Sequence, residues 1–235
     1  MSPEPAVLAA VDLGASSGRV IAGVFDGERT RLRIIHRFPN APVRVNGTLY
    51  WDVLGLYREI LDGLRATSAA YGGVTAIGVD GWAVDYALLA NDGSMLGQPV
   101  HYRDERTTPI VADLLARVGA PELFDATGIA VQPFNTLFQL GAEVCGPRFE
   151  SAARLLLVPD LAAYWLSGEE GTELTNASTT GLLDARTQRW SAEMAALVPG
   201  AVDLFPPLRR PGTILGPVRT DVAVDAGIDG SPAVV

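Results

Sequence analysis

The sequence is short of the features that mark several large protein classes. Cysteine occurs once, at Cys145, so no internal disulfide can form. With only two histidines there is no Cys/His cluster of the kind that holds zinc. Basic residues number 18 against 27 acidic ones, a net charge of −9, which argues against a nucleic-acid binder with its basic face. No apolar run approaches the roughly 18–20 residues a membrane span requires. The opening residues MSPEPA carry neither a basic nor an apolar leader region. A cytoplasmic protein that binds no nucleic acid and no membrane is expected. There is no internal repeat and no low-complexity tract. What is present is apolar material: 48% of 235 residues is hydrophobic, enough for one large domain or two small ones with ample core.

The chain is organised around residues 11–20, VDLGASSGRV. The apolar run Val7–Val11 reads as a buried strand, and Val20–Phe25 reads as a second. Between them lies Asp12, then a turn of Gly and Ser. Gly14 and Gly18 permit close approach of backbone to a ligand, and Ser16 and Ser17 add hydroxyl donors to the backbone N–H groups. Asp12 beside a phosphate makes sense if a divalent cation sits between them. A turn that binds nothing is the other reading of the same residues. The pattern is neither the Gly-x-Gly-x-x-Gly of a dinucleotide fold nor a P-loop with its Gly-Lys-Ser/Thr ending.

Further along, Arg31–Phe38 reads as a third strand, and Pro39–Thr48 as a loop. Asp52 caps a helix whose apolar face is Val53, Leu56, Tyr57, Ile60, Leu61 and Leu64, ended by Gly72-Gly73. Residues 74–79 form a buried strand that delivers Asp80, Gly81 and Trp82, and Tyr86–Ala90 form another. The order β-β-β-α-β predicts an α/β, ribonuclease-H-like domain of the actin and hexokinase type, with a mixed sheet whose first three strands are antiparallel. Helices are expected over much of 107–167, the last starting at Pro159-Asp160 with Asp160 as its cap and stopping at Gly168. TNASTT (175–180) reads as a polar turn, followed by a short strand at 182–184 and a helix from Trp190 to Val198. Residues 206–235 read as short β-like pieces rich in Pro and Gly.

Six blocks in order, VDLGASSGRV (11–20), IGVDGWAVDYALL (77–89), PVHYRDERT (99–107), QPFNTLFQL (132–140), LLLVPDLAAYWLSG (155–168) and TNASTTGLLD (175–184), resemble the FGGY carbohydrate kinases. QPFNTLFQL and TNASTT bring the resemblance nearest to the rhamnulose-phosphorylating branch, where Asn135-Thr136 stand in place of a lysine common in the wider family. The resemblance implies ATP-dependent phosphorylation of a ketose, L-rhamnulose giving L-rhamnulose 1-phosphate, in carbohydrate catabolism. L-fuculose, D-xylulose and a non-catalytic carbohydrate-binding domain are the alternatives. Family members are about twice as long. Residues 1–235 therefore match the N-terminal, sugar- and phosphate-binding domain, the nucleotide-binding domain lies outside the chain, and the catalytic base is expected after Val235. An N-terminal domain without its partner domain would expose an apolar patch, so self-association to a homo-oligomer is a further expectation.

The implied site follows residue by residue. Ala15, Ser16, Ser17, Gly18 and Arg19 would hold the phosphates of ATP, and Asp12 would hold Mg²⁺. Asp80, Trp82, Ala83 and Arg103 would meet the sugar: a carboxylate and an aromatic wall suit hydroxyls and C–H faces. Ala83 departs from the pattern, which has glycine there. Trp82 as core and Asp80 as a loop cap are the structural alternatives. Arg103, Asp104 and Arg106 form a charged loop cluster that either meets sugar or is solvated. His101 is expected to pack, and Asn135 and Asn176 to fix loops.

Overall fold

The computed structural model describes residues 5–235. The first apolar run forms β1 (Ala6–Leu13), which turns back into β2 (Ser17–Phe25) and again into β3 (Thr30–Pro39). All three pair antiparallel, as expected. Alternation sorts their side chains: Ala9, Val11, Leu13, Val20 and Ala22 are buried on one face. A bulge at Val20/Ile21 turns His36 to that same buried side, 2.7 Å from Glu59. On the other face Leu8 is register partner to Gly23, and Gly23 to Leu32. That face is open: Leu8, Leu32 and Ile34 are 39%, 74% and 48% exposed.

The 39–48 segment, expected as a loop, carries a small hairpin of β4 (Val43–Val45) and β5 (Thr48–Tyr50). Its turn is Asn46-Gly47, both with positive φ, a two-residue hairpin turn whose twist suits the flanking strands. Next comes α1 (Val53–Tyr71), capped by Asp52 through a bond from the Gly55 amide and ended by Gly72 in the left-handed region. It lays Val53, Leu56, Ile60 and Leu64 on the buried sheet face. β6 (Ala76–Gly81) then enters parallel to β1 and so brings Asp80 beside Asp12.

β7 (Tyr86–Leu89) leaves the main sheet. It runs antiparallel to β8 (Arg154–Leu157), a strand within a segment expected to be largely helical. Between the two strands lie α2 (Thr108–Val118), α3 (Ala120–Thr127), α4 (Thr136–Glu143) and the single turn α5 (Pro147–Glu150). The β7–β8 pair divides two apolar cores. Ala87, Leu89 and Leu156 face the sheet and α1, while Tyr86, Leu88, Leu155 and Leu157 face α2 and α4. This two-sided burial is why both strands read as unbroken apolar runs.

α6 (Val158–Ser167) follows β8 without a break and stops at Gly168. Leu157 stands at its cap position, so the expected cap role of Asp160 is not realised; Asp160 lies inside the first turn. Beyond it, β9 (Thr172–Glu173) leads into the one-turn α7 (Leu174–Ala177), where a plain turn was expected. β10 (Leu183–Asp184), β11 (Arg189–Trp190), α8 (Ala192–Ala195) and β12 (Leu208–Arg209) are short. The final stretch contains a helix, α9 (Thr220–Ala226), between β13 (Gly216–Pro217) and β14 (Ala233–Val234), where only β-like pieces were expected. α9 buries Val222, Ala223 and Ala226, an apolar spacing that the surrounding Gly and Pro obscure. β14 lies parallel to β6, completing the order β13-β14-β6-β1-β2-β3. No helix among the described residues is long and apolar enough to cross a membrane.

Candidate functional site

The tip of the β1–β2 hairpin is built to present backbone donors. The Gly14 N–H bonds the Ser17 carbonyl at 3.1 Å and closes the turn. Buried Asn40 ties two further carbonyls back: its N–H reaches Ser16 O at 3.1 Å, and its side-chain amide reaches Gly14 O at 2.9 Å. Among the described residues the N–H groups of Ala15 and Ser16 have no acceptor. Unpaired amides at a tight turn are the usual ingredients of an anion nest. Gly18 has a different requirement from the one expected. A Cβ there would lie 2.2 Å from the buried Phe38 ring, so glycine lets that ring pack beneath the hairpin.

Behind the tip, Arg19 Nε donates to Asp12 at 2.6 Å. Asp80 is the register partner of Asp12 on the neighbouring strand and is exposed. Two aspartates thus sit in register at the ends of β1 and β6, and the Arg19 guanidinium is bonded to the first of them. Hard oxygen donors in ones and twos are what Mg²⁺ takes when phosphates and water complete its shell. This donor set fits that ion.

A cleft of about 540 Å³ opens next to Asp80. Asp80, Gly81 and Ala83 line it from the end of β6, Asp160 from α6, Asn176 from α7, and Arg209 and Arg210 from the end of β12 and the residue after it. Trp82 lies behind this wall rather than in it. Its ring packs at a tilt of 34° against buried Trp51 with centroids 4.1 Å apart, and its indole N–H bonds Asp85 at 3.1 Å. Arg103 is exposed, with its guanidinium 5.3 Å from the Tyr102 ring centroid, and it does not line the cleft. The structure therefore brings Asp12, Arg19, Asp80 and Ala83 together, places Trp82 one layer back, and sets Arg103 to the side.

The neighbouring polar residues divide clearly. Asp104 accepts from the Leu49 and Arg106 amides, and Arg106 bonds Gln139, so both hold loops. His101 packs, stacked on Trp51 at 3.9 Å, with burial lowering its pKa to about 4. Asn135 fixes a loop through Gln132 and Thr179. Asn176 lines the cleft with a buried Oδ1 that has no partner among the described residues.

Asp160 is buried and accepts from the Glu173 amide at 3.1 Å through Oδ1, while its Oδ2 has no partner among the described residues. Burial raises its pKa to about 8, with nearby Glu173 adding to the rise. The native state therefore holds a proton that the unfolded chain releases near pH 4. This stability is complete below about pH 4 and is lost as pH climbs through about 8. Asp160→Asn keeps the acceptor for Glu173 without the ionisation. In urea unfolding the variant should equal the parent at pH 4 and exceed it by a few kcal/mol at pH 8. An equal difference at both pH values would contradict this.

Asp85, Trp51, Gln139 and Asn40 join the site only through the fold. Asp85 had a signal: it is a carboxylate abutting the apolar run of β7.

A model of the FGGY family of carbohydrate kinases, N-terminal domain, matches residues 7–235. A rhamnulokinase of Bacteroides thetaiotaomicron is 38% identical over 227 residues, covering 96% of this chain and 47% of the relative. A rhamnulokinase of Enterococcus faecalis is 42% identical over 213 residues, covering 90% of this chain and 43% of the relative. Among solved structures, gluconate kinase from Lactobacillus acidophilus superposes with a TM-score of 0.88 at 17% identity, covering 99% of this chain and 47% of the other. The ligand-bound xylulose kinase from the same organism gives 0.87 at 18% identity, covering 97% and 47%. The chain spans about half the length of the curated relatives it matches.

Proposed function

The chain belongs to the FGGY family of carbohydrate kinases, and from that premise we propose that it forms the sugar- and phosphate-binding half of an ATP-dependent ketose kinase. The substrate is L-rhamnulose and the product L-rhamnulose 1-phosphate, in keeping with the rhamnulokinases among its relatives. The observation that carries this reading is the adjacency of three features at one sheet end. A hairpin tip with unpaired amides adjoins a carboxylate pair, and the pair adjoins a cleft large enough for a hexose.

Phosphoryl transfer asks mainly for positioning and for neutralisation of charge. Ala15, Ser16, Ser17, Gly18 and Arg19 hold the phosphates of ATP, with amides at the tip and the guanidinium at its base. Asp12 holds Mg²⁺, and Asp80 stands between metal side and sugar side. Bound Mg²⁺ would neutralise the transferring phosphoryl group. Ala83 and Asp80 meet the sugar, Trp82 backs that wall, and Arg103 borders the approach. A second domain, outside this chain, supplies the nucleotide-base pocket and the carboxylate that takes the hydroxyl proton. The open sheet face at Leu8, Leu32 and Ile34 is apolar enough to pack on such a domain or, in its absence, on a second copy. The enzyme works in the cytoplasm.

Titrating L-rhamnulose, L-fuculose and D-xylulose into the isotope-labelled chain tests the site. Shifts should gather at residues 80–83 and at Asn176, largest for L-rhamnulose, with weak affinity because no second domain closes the cleft. Shifts confined to other surfaces would overturn the assignment.

A further inference from the structure

We propose that Asp85 is a positioning residue for sugar binding: one buried carboxylate that fixes the Trp82 wall and the 101–103 loop relative to each other. This rests on the site reading above and deepens it.

Asp85 is 0% exposed and has no cationic partner among the described residues. Its charge is met by neutral donors alone. Oδ2 accepts from Trp51 Nε1 at 2.5 Å, Trp82 Nε1 at 3.1 Å and the Tyr102 amide at 3.1 Å. Oδ1 accepts from Gln139 Nε2 at 2.8 Å. These donors come from the segment before α1, the end of β6, the loop that carries Arg103, and α4. Burial without an ion pair is costly for a carboxylate, which is an expensive way to secure packing alone.

The backbone beside it is also strained. The Asp85 amide bonds the Ala83 carbonyl at 2.9 Å, and Val84 between them has φ of 70°. This is the rare γ-turn with positive φ, at a β-branched residue that disfavours it. Thr136 Oγ1, at 2.7 Å, and Gln139 Nε2, at 3.3 Å, hold the Val84 carbonyl and keep the turn in place. Strain and buried charge thus coincide at the residue pair directly following Ala83, which lines the cleft. Their joint effect is to reverse the chain there and bring Asp85 beneath Trp82. Gln139 serves both, since one amide nitrogen reaches the turn and the carboxylate.

The charged and titratable groups around Asp85 are few. His101 stacks on Trp51 and stays neutral above about pH 4. Arg106 reaches Asp85 only through Gln139, and Glu143 pairs with Tyr86, Arg106 and Arg148 on the far side of α4. Burial raises the Asp85 pKa to about 6, against the four bonds that lower it. Between pH 5 and 7 Asp85 is therefore the group that changes charge in this cluster.

The test uses the chain of 235 residues and NMR titration with L-rhamnulose. In Asp85→Asn the Trp82 indole and Tyr102 amide resonances should move in the sugar-free protein, while those of β1–β3 stay. Sugar affinity at pH 7.5 should fall at least about tenfold. The parent should lose affinity as pH falls through about 6, and the variant should show no such dependence. Gln139→Met removes one bond that favours the charged form, so its midpoint should move to higher pH; it carries the test if Asp85→Asn does not fold. Parent-like affinity and pH profile in Asp85→Asn, or an unmoved midpoint in Gln139→Met, would overturn the proposal. Absence of sugar shifts at 80–83 in the parent would instead overturn the site reading, whereas unmoved Trp82 and Tyr102 resonances would overturn only the role of Asp85.

Discussion

Asp12→Asn, in a protein extended to the length of the relatives, is expected to lower kcat for sugar phosphorylation by about 10²-fold or more. Metal stabilisation of transferring phosphoryl oxygens contributes several kcal/mol, and about 1.4 kcal/mol corresponds to a factor of ten. The amide cannot supply the charge that the metal shell requires, and Asp80 alone stands on the sugar side of the pair. Stability should hardly change, because the lost pair with Arg19 is partly exposed, with side chains 43% and 35% accessible. Such pairs are worth at most about 1 kcal/mol. The Mg²⁺ concentration for half-maximal rate should rise in the variant. Ser17→Ala gives the contrast: its effect should stay within about tenfold, because the unpaired amides of Ala15 and Ser16 remain at the tip. Unchanged turnover in Asp12→Asn at limiting Mg²⁺ would remove Asp12 from the metal.

How far these features were legible in the sequence depends on the range of the physics behind them. The three antiparallel strands and the α1 cap follow from local pattern: alternation, a Gly/Ser turn, and Asp52 ahead of an apolar helix face. The Asn46-Gly47 hairpin was equally local, and its two-residue turn signal was there to be read. β8 and α9 were not legible in the same way. An unbroken Leu155–Leu157 run is compatible with strand or helix until its partner β7 is known, and a seven-residue helix among Gly and Pro has too short a period to stand out.

The site divides along the same line. Asp12 and Asp80 could each be picked from a block, but only the parallel register of β1 and β6 makes them neighbours. Asp160 after Pro159 reads as a cap, yet its partner is the Glu173 amide, brought near by the fold. Asp85 illustrates the limit most sharply. Its donors lie 3, 17, 34 and 54 residues away in the chain, so no window of sequence contains the cluster. Trp82 carried the right chemistry for a sugar wall, but its indole serves the interior.

The second large effect concerns residues 1–235 on their own, which span 47% and 43% of the lengths of two relatives. General-base assistance contributes about 10²- to 10⁴-fold in such reactions. Among the described carboxylates of the site Asp80 is the exposed one that lines the cleft, and its assigned place is on the sugar and metal side rather than as the base. Asp12 is paired with Arg19, Asp85 is enclosed by its four donors, and Asp160 is buried against the Glu173 amide. Closure of a second domain would also exclude water and grip the nucleotide base. Sugar binding without turnover is thus the expected behaviour of these 235 residues. The decisive measurement is coupled ADP release with Mg-ATP and L-rhamnulose, run in parallel on this chain and on a protein extended to the relatives' length. The account predicts background rates for the former and roughly 1–100 turnovers per second for the latter. Kinase-like turnover by the 235-residue chain alone, or an extended protein that phosphorylates no ketose, would contradict it.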